Sequence, residues 1–341
     1  MRNASAEVVT LWPKPNYEDP EYQGPQLLIV GIVLLILSTA VVVLRIWVRL
    51  FKKNTAGWDD WLMVLAVAFI ICSTVTANLG TTYGWGHHIW DVKPEWSKPT
   101  LMTSWFNQLL LVIIMALVKL SLLISYLRFF TQPLYRRLTW IMIALIVSWG
   151  LAYMISLFLA CRPLKVYWET IQYNPPNCID QNASTFSFSI TNLATDLMVL
   201  VLPMRVLWML KLPIRERLVL ITLMNIGLLA CVASAVRVYY AYRTLNITYD
   251  ITWDGYDIWL WILVEVNLAV MCASIPTLRP LLKQCFPRIG SRGSRNSTSR
   301  ASRAPNATPL TSPSHPPRIY MKTTVKQTVW HSDSTESLVM V

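Results

Sequence analysis

Charged residues are scarce in this chain. They make up 14% of its 341 residues, whereas hydrophobic residues make up 54%. Soluble domains carry about a quarter of charged residues, so the composition argues against two ordinary soluble domains in a chain of this length. The imbalance comes from seven apolar segments of about 20 residues, each long enough to cross the roughly 30 Å hydrocarbon core of a bilayer.

The apolar segments predict an all-α fold, because backbone polar groups in lipid must be hydrogen-bonded within their own segment. We place seven helices near residues 26–48, 58–80, 105–129, 137–160, 186–210, 217–240 and 257–281, in a transmembrane domain that covers residues 26–286. Residues 1–25 precede this domain as a short tail and lack the apolar stretch of a cleavable signal peptide. We therefore expect helix 1 to insert as an anchor.

Basic residues concentrate after helices 1, 3 and 5, whereas the other loops are nearly neutral or acidic. The positive-inside rule places these basic segments in the cytoplasm and the N-terminus outside. With seven helices the C-terminus is cytoplasmic, and we expect the plasma membrane as the location. The basic residues counted are Arg45, Arg49, Lys52, Lys53, Arg128, Arg136, Arg137, Arg205, Lys211, Arg215 and Arg217.

Glycosylation sequons and cysteines agree with this orientation. The sequons at Asn3, Asn182 and Asn246 fall in segments predicted to be extracellular. Cys161 ends helix 4 and Cys178 follows in the same outer loop, so they are the only cysteine pair in an oxidising compartment. We predict a disulfide between them.

From residue 287 onward the chain consists mainly of Ser, Thr, Arg and Pro, a composition that cannot bury enough apolar surface to fold. Eight basic residues lie between Arg288 and Lys326 and two acidic residues follow them, so this segment holds half of the net charge of +12. We expect a disordered cytoplasmic tail at 287–341 that approaches anionic lipid or docks signalling partners under phosphorylation control. Nucleic acid is not expected as a partner, because the charge lies beside a membrane and outside any folded module.

Four ionisable residues lie at membrane depth, where charge is costly and usually faces the interior of the bundle. Lys119 and Asp196 fall near the midpoints of helices 3 and 5, whereas Arg237 and Glu265 fall in the outer halves of helices 6 and 7. Their depths predict the pairs Lys119–Asp196 and Arg237–Glu265.

Two interpretations of these four residues stay open. They are either links that fix the register of the helices, or a ligand-binding site or polar switch that also includes Asn192 and Asn267. Pro203 and Pro276, in the cytoplasmic halves of helices 5 and 7, are expected to kink or end those helices.

Two extramembrane stretches are distinctive. In the outer loop YGWGHHIWDVKPEW, residues 83–96, Trp85, His88 and Trp90 are candidates for the mouth of a ligand pocket. No metal site and no cofactor are expected there, since the side chains of adjacent histidines diverge. At GWDDWL, residues 57–62, one aspartate caps helix 2, and we predict that Asp60 pairs with Arg128 as a cytoplasmic lock between helices 2 and 3.

Several function classes are disfavoured by the residues that are missing. A retinal Schiff base needs a lysine within the membrane part of helix 7, and Lys283 lies beyond its cytoplasmic end. Helices 3 and 7 end in SYLRFF and IPTLRP rather than in the signatures of the large animal G-protein-coupled class. An enzyme of this class would need a nucleophile paired with a base, and we find no such pair at membrane depth.

A set of motifs taken together resembles the fungal rhodopsin-like integral membrane family, which includes receptor-like Pth-type proteins and members from secondary-metabolite gene clusters. The resemblance runs from about residue 26 to 286. It rests on GWDDWL, YGWGHHIWDV, LVKLSLLISYLRFF, ACRPLKVYWE, CID, NLATDLMVLVLPMRVLWMLKLP and VEVNLAVMCASIPTLRPLL. It implies a seven-helix fold with an outside N-terminus and without pigment. The motif positions that it marks are Asp60, Trp61, Gly86, His88, Lys119, Arg128, Cys161, Cys178, Asp196, Pro203, Glu265, Pro276 and Pro280.

Some relatives in that family carry a cysteine-rich extracellular domain ahead of helix 1. No cysteine precedes Cys72 here, so we expect a member without that domain. We expect a receptor-like protein that senses an extracellular small molecule or surface cue through the intramembrane polar residues and signals through its basic loops and tail. A metabolite transporter or accessory protein of secondary metabolism is the first alternative, and a structural membrane scaffold is the second.

Overall fold

The computed structural model describes residues 12–53, 57–130, 132–169, 178–209 and 214–285. The chain divides into two units, 1–293 and 294–341, and the second unit lies wholly outside the described residues. The expected disordered tail and the sequon at Asn3 also lie outside them.

Seven long helices make up most of the described chain, and each is long and apolar enough to cross a membrane. No β-strand occurs among the described residues beyond isolated bridges. The structure therefore confirms the all-α, seven-helix fold, while the orientation stays a prediction. The helices are α1 Gln26–Trp47, α2 Trp58–Thr82, α3 Ser97–Phe129, α4 Pro133–Phe158, α5 Gln181–Met209, α6 Ile214–Asn246 and α7 Ile251–Cys285.

Six of the seven helices, all but α1, are longer than the apolar windows from which they were predicted. α3 begins eight residues before the predicted start at 105, directly after a 3-10 turn at Pro94–Trp96, and α7 begins at Ile251 rather than near 257. Hydropathy measures only the lipid-exposed length of a helix, whereas hydrogen bonding continues into polar turns beyond it. These added turns carry several of the side chains that form the outer end of the bundle, by which we mean the end that carries loop 83–96.

Helix α3 lies at the centre of the bundle. It packs against α2 and α4 on its flanks and also contacts α5 and α7, while α1 packs on α2 and α7, and α6 on α5 and α7. The interior combines apolar side chains such as Met63, Ile114 and Val270 with many buried polar ones. Large aliphatic side chains instead cover the outside, as at Ile36 and Ile141. That distribution is expected for a bundle whose surroundings are lipid.

The loop after α2 folds over the outer end. Gly84 and Gly86 both have positive φ, at 116° and 90°, a conformation that glycine adopts without strain. A β-carbon at Gly86 would lie 2.9 Å from the ring of Tyr256. The loop therefore depends on glycine both for its turn and for its close approach to α7.

A disulfide joins Cys161 and Cys178, as predicted. It connects the end of α4 to the segment that leads into α5, and the amide of Ile179 donates to the carbonyl of Ala160 beside it at 2.8 Å. Because the two cysteines are 17 residues apart, the bond closes a loop of the chain between α4 and α5.

Replacing both cysteines, Cys161→Ser with Cys178→Ser, is expected to lower the free energy of unfolding by about 3 kcal/mol, since the open loop gains conformational freedom in the unfolded chain. Thermal unfolding in detergent, followed by tryptophan fluorescence, measures this. Cys72→Ser is the matched control, because Cys72 is a free, exposed cysteine. A reductant that lowers the melting temperature of the double variant as much as that of the wild type would contradict the assignment.

Candidate functional site

The outer half of the bundle contains a buried ion pair between α6 and α7. Arg237 Nε donates to Glu265 Oε2 at 2.6 Å and Arg237 Nη2 donates to Oε1 at 3.3 Å. Both side chains are 2% exposed. A guanidinium and a carboxylate in this forked geometry form a strong, charge-assisted contact, and the predicted pairing is confirmed.

The second predicted pair joins α3 to α5. Lys119 Nζ lies 3.0 Å from Asp196 Oδ1 and also donates to Thr195 Oγ1 at 2.7 Å and Asn192 Oδ1 at 2.9 Å. The ammonium lies over the ring of Trp149, 5.1 Å from its centroid. All three ammonium protons thus have acceptors, so this buried side chain has no unsatisfied donor.

Asn192 connects the two ion pairs. Its amide nitrogen donates to Glu265 Oε1 at 2.6 Å and to Asp196 Oδ2 at 3.0 Å. Ser234 of α6 hydrogen-bonds to the same two carboxylates. Asn192 and Asp196 are one helical turn apart on α5, so they lie on the same face.

The result is one network of two cations and two carboxylates shared by α3, α5, α6 and α7. We call it the polar network, and it comprises Lys119, Asn192, Thr195, Asp196, Ser234, Arg237 and Glu265. Its charges balance when all four ionisable groups are charged. Such a network fixes the relative positions of four helices.

Asn267 belongs to a different contact. Its Oδ1 accepts a hydrogen bond from Ser38 of α1 at 2.6 Å, and its Nδ2 donates to the carbonyl of Leu263. A separation of two residues from Glu265 turns a helix by about 200°, so Asn267 faces α1 rather than α5. Its predicted place in the polar network is therefore wrong.

A cavity of about 600 Å³ extends from the outer end of the bundle to the polar network. Arg237, Phe188 and Ser189 lie at the end near the network, and Trp12, Ile89 and Val92 lie toward the outer loops. The volume falls in the range of about 300–1,000 Å³ that is usual for small-molecule pockets. The further lining residues used below are Trp85, Lys93, Ser104, Asn107, Gln108, Leu111, Leu157, Tyr167, Ile262 and Trp259.

The polar side chains of α3 that line this cavity were not singled out from the sequence. Asn107 Oδ1 accepts a hydrogen bond from Ser73 of α2 at 2.5 Å. This bond does not use the amide N–H groups of Asn107, which can donate to other acceptors. Ser104 and Gln108 make no side-chain hydrogen bond to another described residue, yet both line the cavity. Their spacing with Thr100 and Leu111 places them along one helix face, and that spacing is the signal that identifies them.

The wall of the cavity near the disulfide includes Tyr167. Burial raises the pKa of its phenol to about 12, because desolvation disfavours the phenolate. The hydroxyl is therefore neutral at physiological pH.

The structure divides the outer-loop candidates into two roles. Trp85 lines the cavity and packs on Trp259 of α7, with 5.1 Å between ring centroids. His88 instead stacks between Trp90 and Trp253, at 4.6 and 4.0 Å between ring centroids. His88 Nδ1 contacts Asp250, so the imidazole ties the loop to the start of α7.

The predicted lock between Asp60 and Arg128 is wrong in its partners. Asp60 pairs with Arg45 at 2.9 Å and with Arg49 at 3.2 Å, whereas Arg128 lies 3.3 Å from Asp59. Asp60 also accepts from the Gly57 amide at 3.2 Å, which caps α2 as expected for one of the two aspartates.

Asp59 is the centre of this second charge cluster. It contacts Arg45 at 2.7 Å and Arg49 at 2.6 Å besides Arg128, and it accepts from Ser125 of α3 at 3.0 Å. Arg45 and Arg49 were counted as loop charges, but the side chains of both are buried between helices. Five charged residues thus join α1, α2 and α3.

Two of the three predicted sequons lie in the described chain. Asn246, near the end of α6, is exposed and donates to the carbonyl of Tyr242. Asn182 lies in the first turn of α5, and its Oδ1 is buried without a hydrogen-bond partner among the described residues. Their glycosylation stays a prediction.

A family model described as the fungal rhodopsin domain matches residues 44–284, which is well over half of the chain. The chain belongs to the fungal rhodopsin domain family. Together with the seven apolar helices, this membership makes it a multi-pass integral membrane protein.

Curated relatives place this family member among receptor-like and cluster-associated proteins. It is 28% identical to the polyenoic acids biosynthesis gene cluster protein Ba17b of Metarhizium anisopliae, over 80% of this chain and 79% of that protein. It is 26% identical to Receptor GIN3 of Arthrobotrys oligospora, over 74% and 61%. It is also 26% identical to a SAT4 family membrane protein of Emericella nidulans, over 67% and 56%. The chain therefore spans less than two thirds of the length of the last two relatives, and no solved structure matches it.

Removing one partner of the buried pair, by Arg237→Met, is expected to lower the free energy of unfolding by about 3–5 kcal/mol, because Glu265 loses its guanidinium partner in the interior. The double variant Arg237→Met with Glu265→Met should recover much of this loss. Thermal unfolding of the three proteins in the same detergent measures both effects.

The exposed pair of Lys98 and Glu169, 3.7 Å apart with both side chains more than half exposed, provides the control. Lys98→Met should cost less than about 1 kcal/mol. A loss for Arg237→Met no larger than that of the control would contradict a buried, energetically coupled pair.

At the second cluster, Asp59→Asn is expected to destabilise the protein more than Asp60→Asn. Both variants remove one negative charge, but Asp59 contacts three arginines and Asp60 contacts two, so Asp59→Asn loses more buried ion-pair contacts. Arg128→Gln should have the smallest effect, since that side chain is 42% exposed. Melting temperatures in a single detergent give the ranking, and the reverse order for the two aspartates would refute it.

Proposed function

We propose that this protein is a receptor-like membrane protein, rather than an enzyme, whose cavity binds a small molecule that arrives from the outer end of the bundle. One observation carries the proposal: Arg237 lines the cavity and is at the same time a member of the polar network. A molecule that contacts Arg237 therefore contacts the group that links α6 to α7.

The network gives such a molecule a way to act on the helices. Ligands change a conformational equilibrium only through a difference in their interaction with the two states. A contact to Arg237 changes the balance among Glu265, Asn192 and Ser234, which are shared by three helices. The name of the relative Receptor GIN3 supports a sensing role for this family member.

Signalling on the opposite face would involve the basic segments and the tail predicted to be cytoplasmic. α3 runs from the cavity to the second charge cluster, with Asn107 at one end and Arg128 at the other. α7 likewise carries Glu265 and the carbonyl of Ala273, which accepts from Arg45 at 2.6 Å. Both helices thus physically connect the cavity region to the other end of the bundle.

Transport of a metabolite is the second candidate. It is favoured by relatives named as biosynthesis cluster proteins, namely Ba17b and the fugralins biosynthesis cluster protein 2 of Gibberella zeae, which is 21% identical over 79% of this chain. A transporter would use the same cavity but would release its cargo on the other side. The two candidates therefore differ in flux and not in the location of the site.

The test uses the full chain with a variant that fills the cavity. A screen of fungal metabolites first identifies compounds that raise the melting temperature of the wild type. Ser104→Trp is expected to abolish saturable binding of these compounds. Ser148→Trp is the matched control, because Ser148 is exposed on α4. Binding that survives Ser104→Trp would overturn the cavity as the site.

Reconstituted vesicles separate the two candidates. A receptor predicts saturable binding of a hit from the screen without accumulation of that compound inside the vesicles. Accumulation of the compound that requires the wild-type protein and is lost in Ser104→Trp would show that the protein is a transporter rather than a receptor.

A further inference from the structure

We propose that the ligand of the cavity is an amphipathic carboxylate: an apolar molecule that ends in one carboxylate group, which binds Arg237. This inference rests on the proposed function and specifies its ligand class. It begins with charge, because the described lining carries two basic side chains, Arg237 and Lys93, and neither aspartate nor glutamate. The charged side chains of the lining are thus all positive, even though the polar network beneath the cavity has equal numbers of positive and negative charges.

Arg237 retains a binding edge that is only partly used. A guanidinium has five N–H donors arranged in a fixed plane. Glu265 takes the edge formed by Nε and Nη2, whereas the edge formed by Nη1 and Nη2 has only a 3.4 Å contact from Nη1 to Ser189. A carboxylate fits this second edge with two parallel hydrogen bonds.

Glu265 does not need the whole charge of Arg237. Its carboxylate also accepts hydrogen bonds from Asn192 and Ser234, whereas Lys119 pairs with the other carboxylate of the network, Asp196. The negative charge of Glu265 is therefore shared among several donors. Arg237 can bind a second carboxylate without leaving the first one unpaired, which would be the costly outcome.

The rest of the cavity suits an apolar body. Trp85 and Trp259 line it toward α7, while Leu111, Leu157 and Ile262 supply aliphatic surface. Burial of apolar area against these side chains provides the affinity, and the charged end fixes the orientation. Gln108 and Asn107 lie along the wall between the two ends of the cavity, where they would hydrogen-bond to a hydroxyl or carbonyl group on the apolar part of the ligand.

The test uses purified full-length protein in detergent and two photoreactive probes of equal length, a diazirine-bearing decanoic acid and the matching decanol. Peptides labelled on irradiation are mapped by mass spectrometry. The acid is expected to label α3 and α5 segments that line the cavity, with labelling displaced by unlabelled decanoate. Decanol is expected to label them about tenfold less, since it lacks the charge-assisted contact.

Arg237→Gln combined with Glu265→Gln removes the guanidinium and keeps the charge balance. It should reduce displaceable labelling by the acid about tenfold or more and leave labelling by decanol unchanged. Arg243→Gln with Asp254→Asn is the matched control, since this pair also joins α6 to α7, at 3.4 Å, but does not line the cavity. It should keep full labelling.

Equal displaceable labelling of the cavity by decanol and decanoic acid would overturn the carboxylate inference and leave the cavity as a small-molecule site. The inference is equally overturned if the Arg237–Glu265 double variant retains labelling by the acid. Labelling by the acid that is confined to the lipid-facing surface, with decanol in the cavity, would also overturn it. If neither probe reaches the cavity, the inference fails, and the Ser104→Trp experiment decides on the proposed function separately.

Discussion

The ion pair between Arg237 and Glu265 is the interaction on which the outer half of this bundle depends. Lipid offers no water to solvate a charge, so each ionisable side chain must find its partners within the bundle. Glu265 meets that need by drawing donors from α5 and α6 at once. The helices are thereby held around a polar centre, and the cavity extends from this centre toward the outer end of the bundle.

A second charge cluster lies at the other end of the same helices, and it differs from the first in composition. It has three arginines for two aspartates, whereas the polar network has two charges of each sign. The carbonyl of Ala273, which Arg45 contacts, lies eight residues after Glu265 on α7, or about 12 Å along the axis. A displacement of α7 at Glu265 therefore also changes the surroundings of Arg45, because the intervening turns are hydrogen-bonded.

Depth along a helix could be predicted from the sequence, whereas direction around a helix could not. Counting the rise per residue matched Lys119 with Asp196 and Arg237 with Glu265, because a buried charge has few partners at its own level. Depth alone also grouped Asn267 with them, and this failed since Asn267 faces α1. The same limit explains the error at GWDDWL, where a rule that counts basic residues near membrane ends treats Arg45 as a loop charge. Its side chain is completely buried against Asp59 and Asp60, so α1 supplies closer partners than the predicted one on α3.

The cavity could not be predicted from any single motif, because its lining comes from residues of modest character on several helices. Ser104 and Gln108 differ little from surface residues until the packing of α3 at the bundle centre encloses them. Such polar groups would be costly in a dry interior, whereas at the wall of a cavity they can hydrogen-bond to water or to a bound molecule. Polar side chains at these positions fit an open cavity better than a closed core, since a closed bundle would gain stability from apolar side chains there.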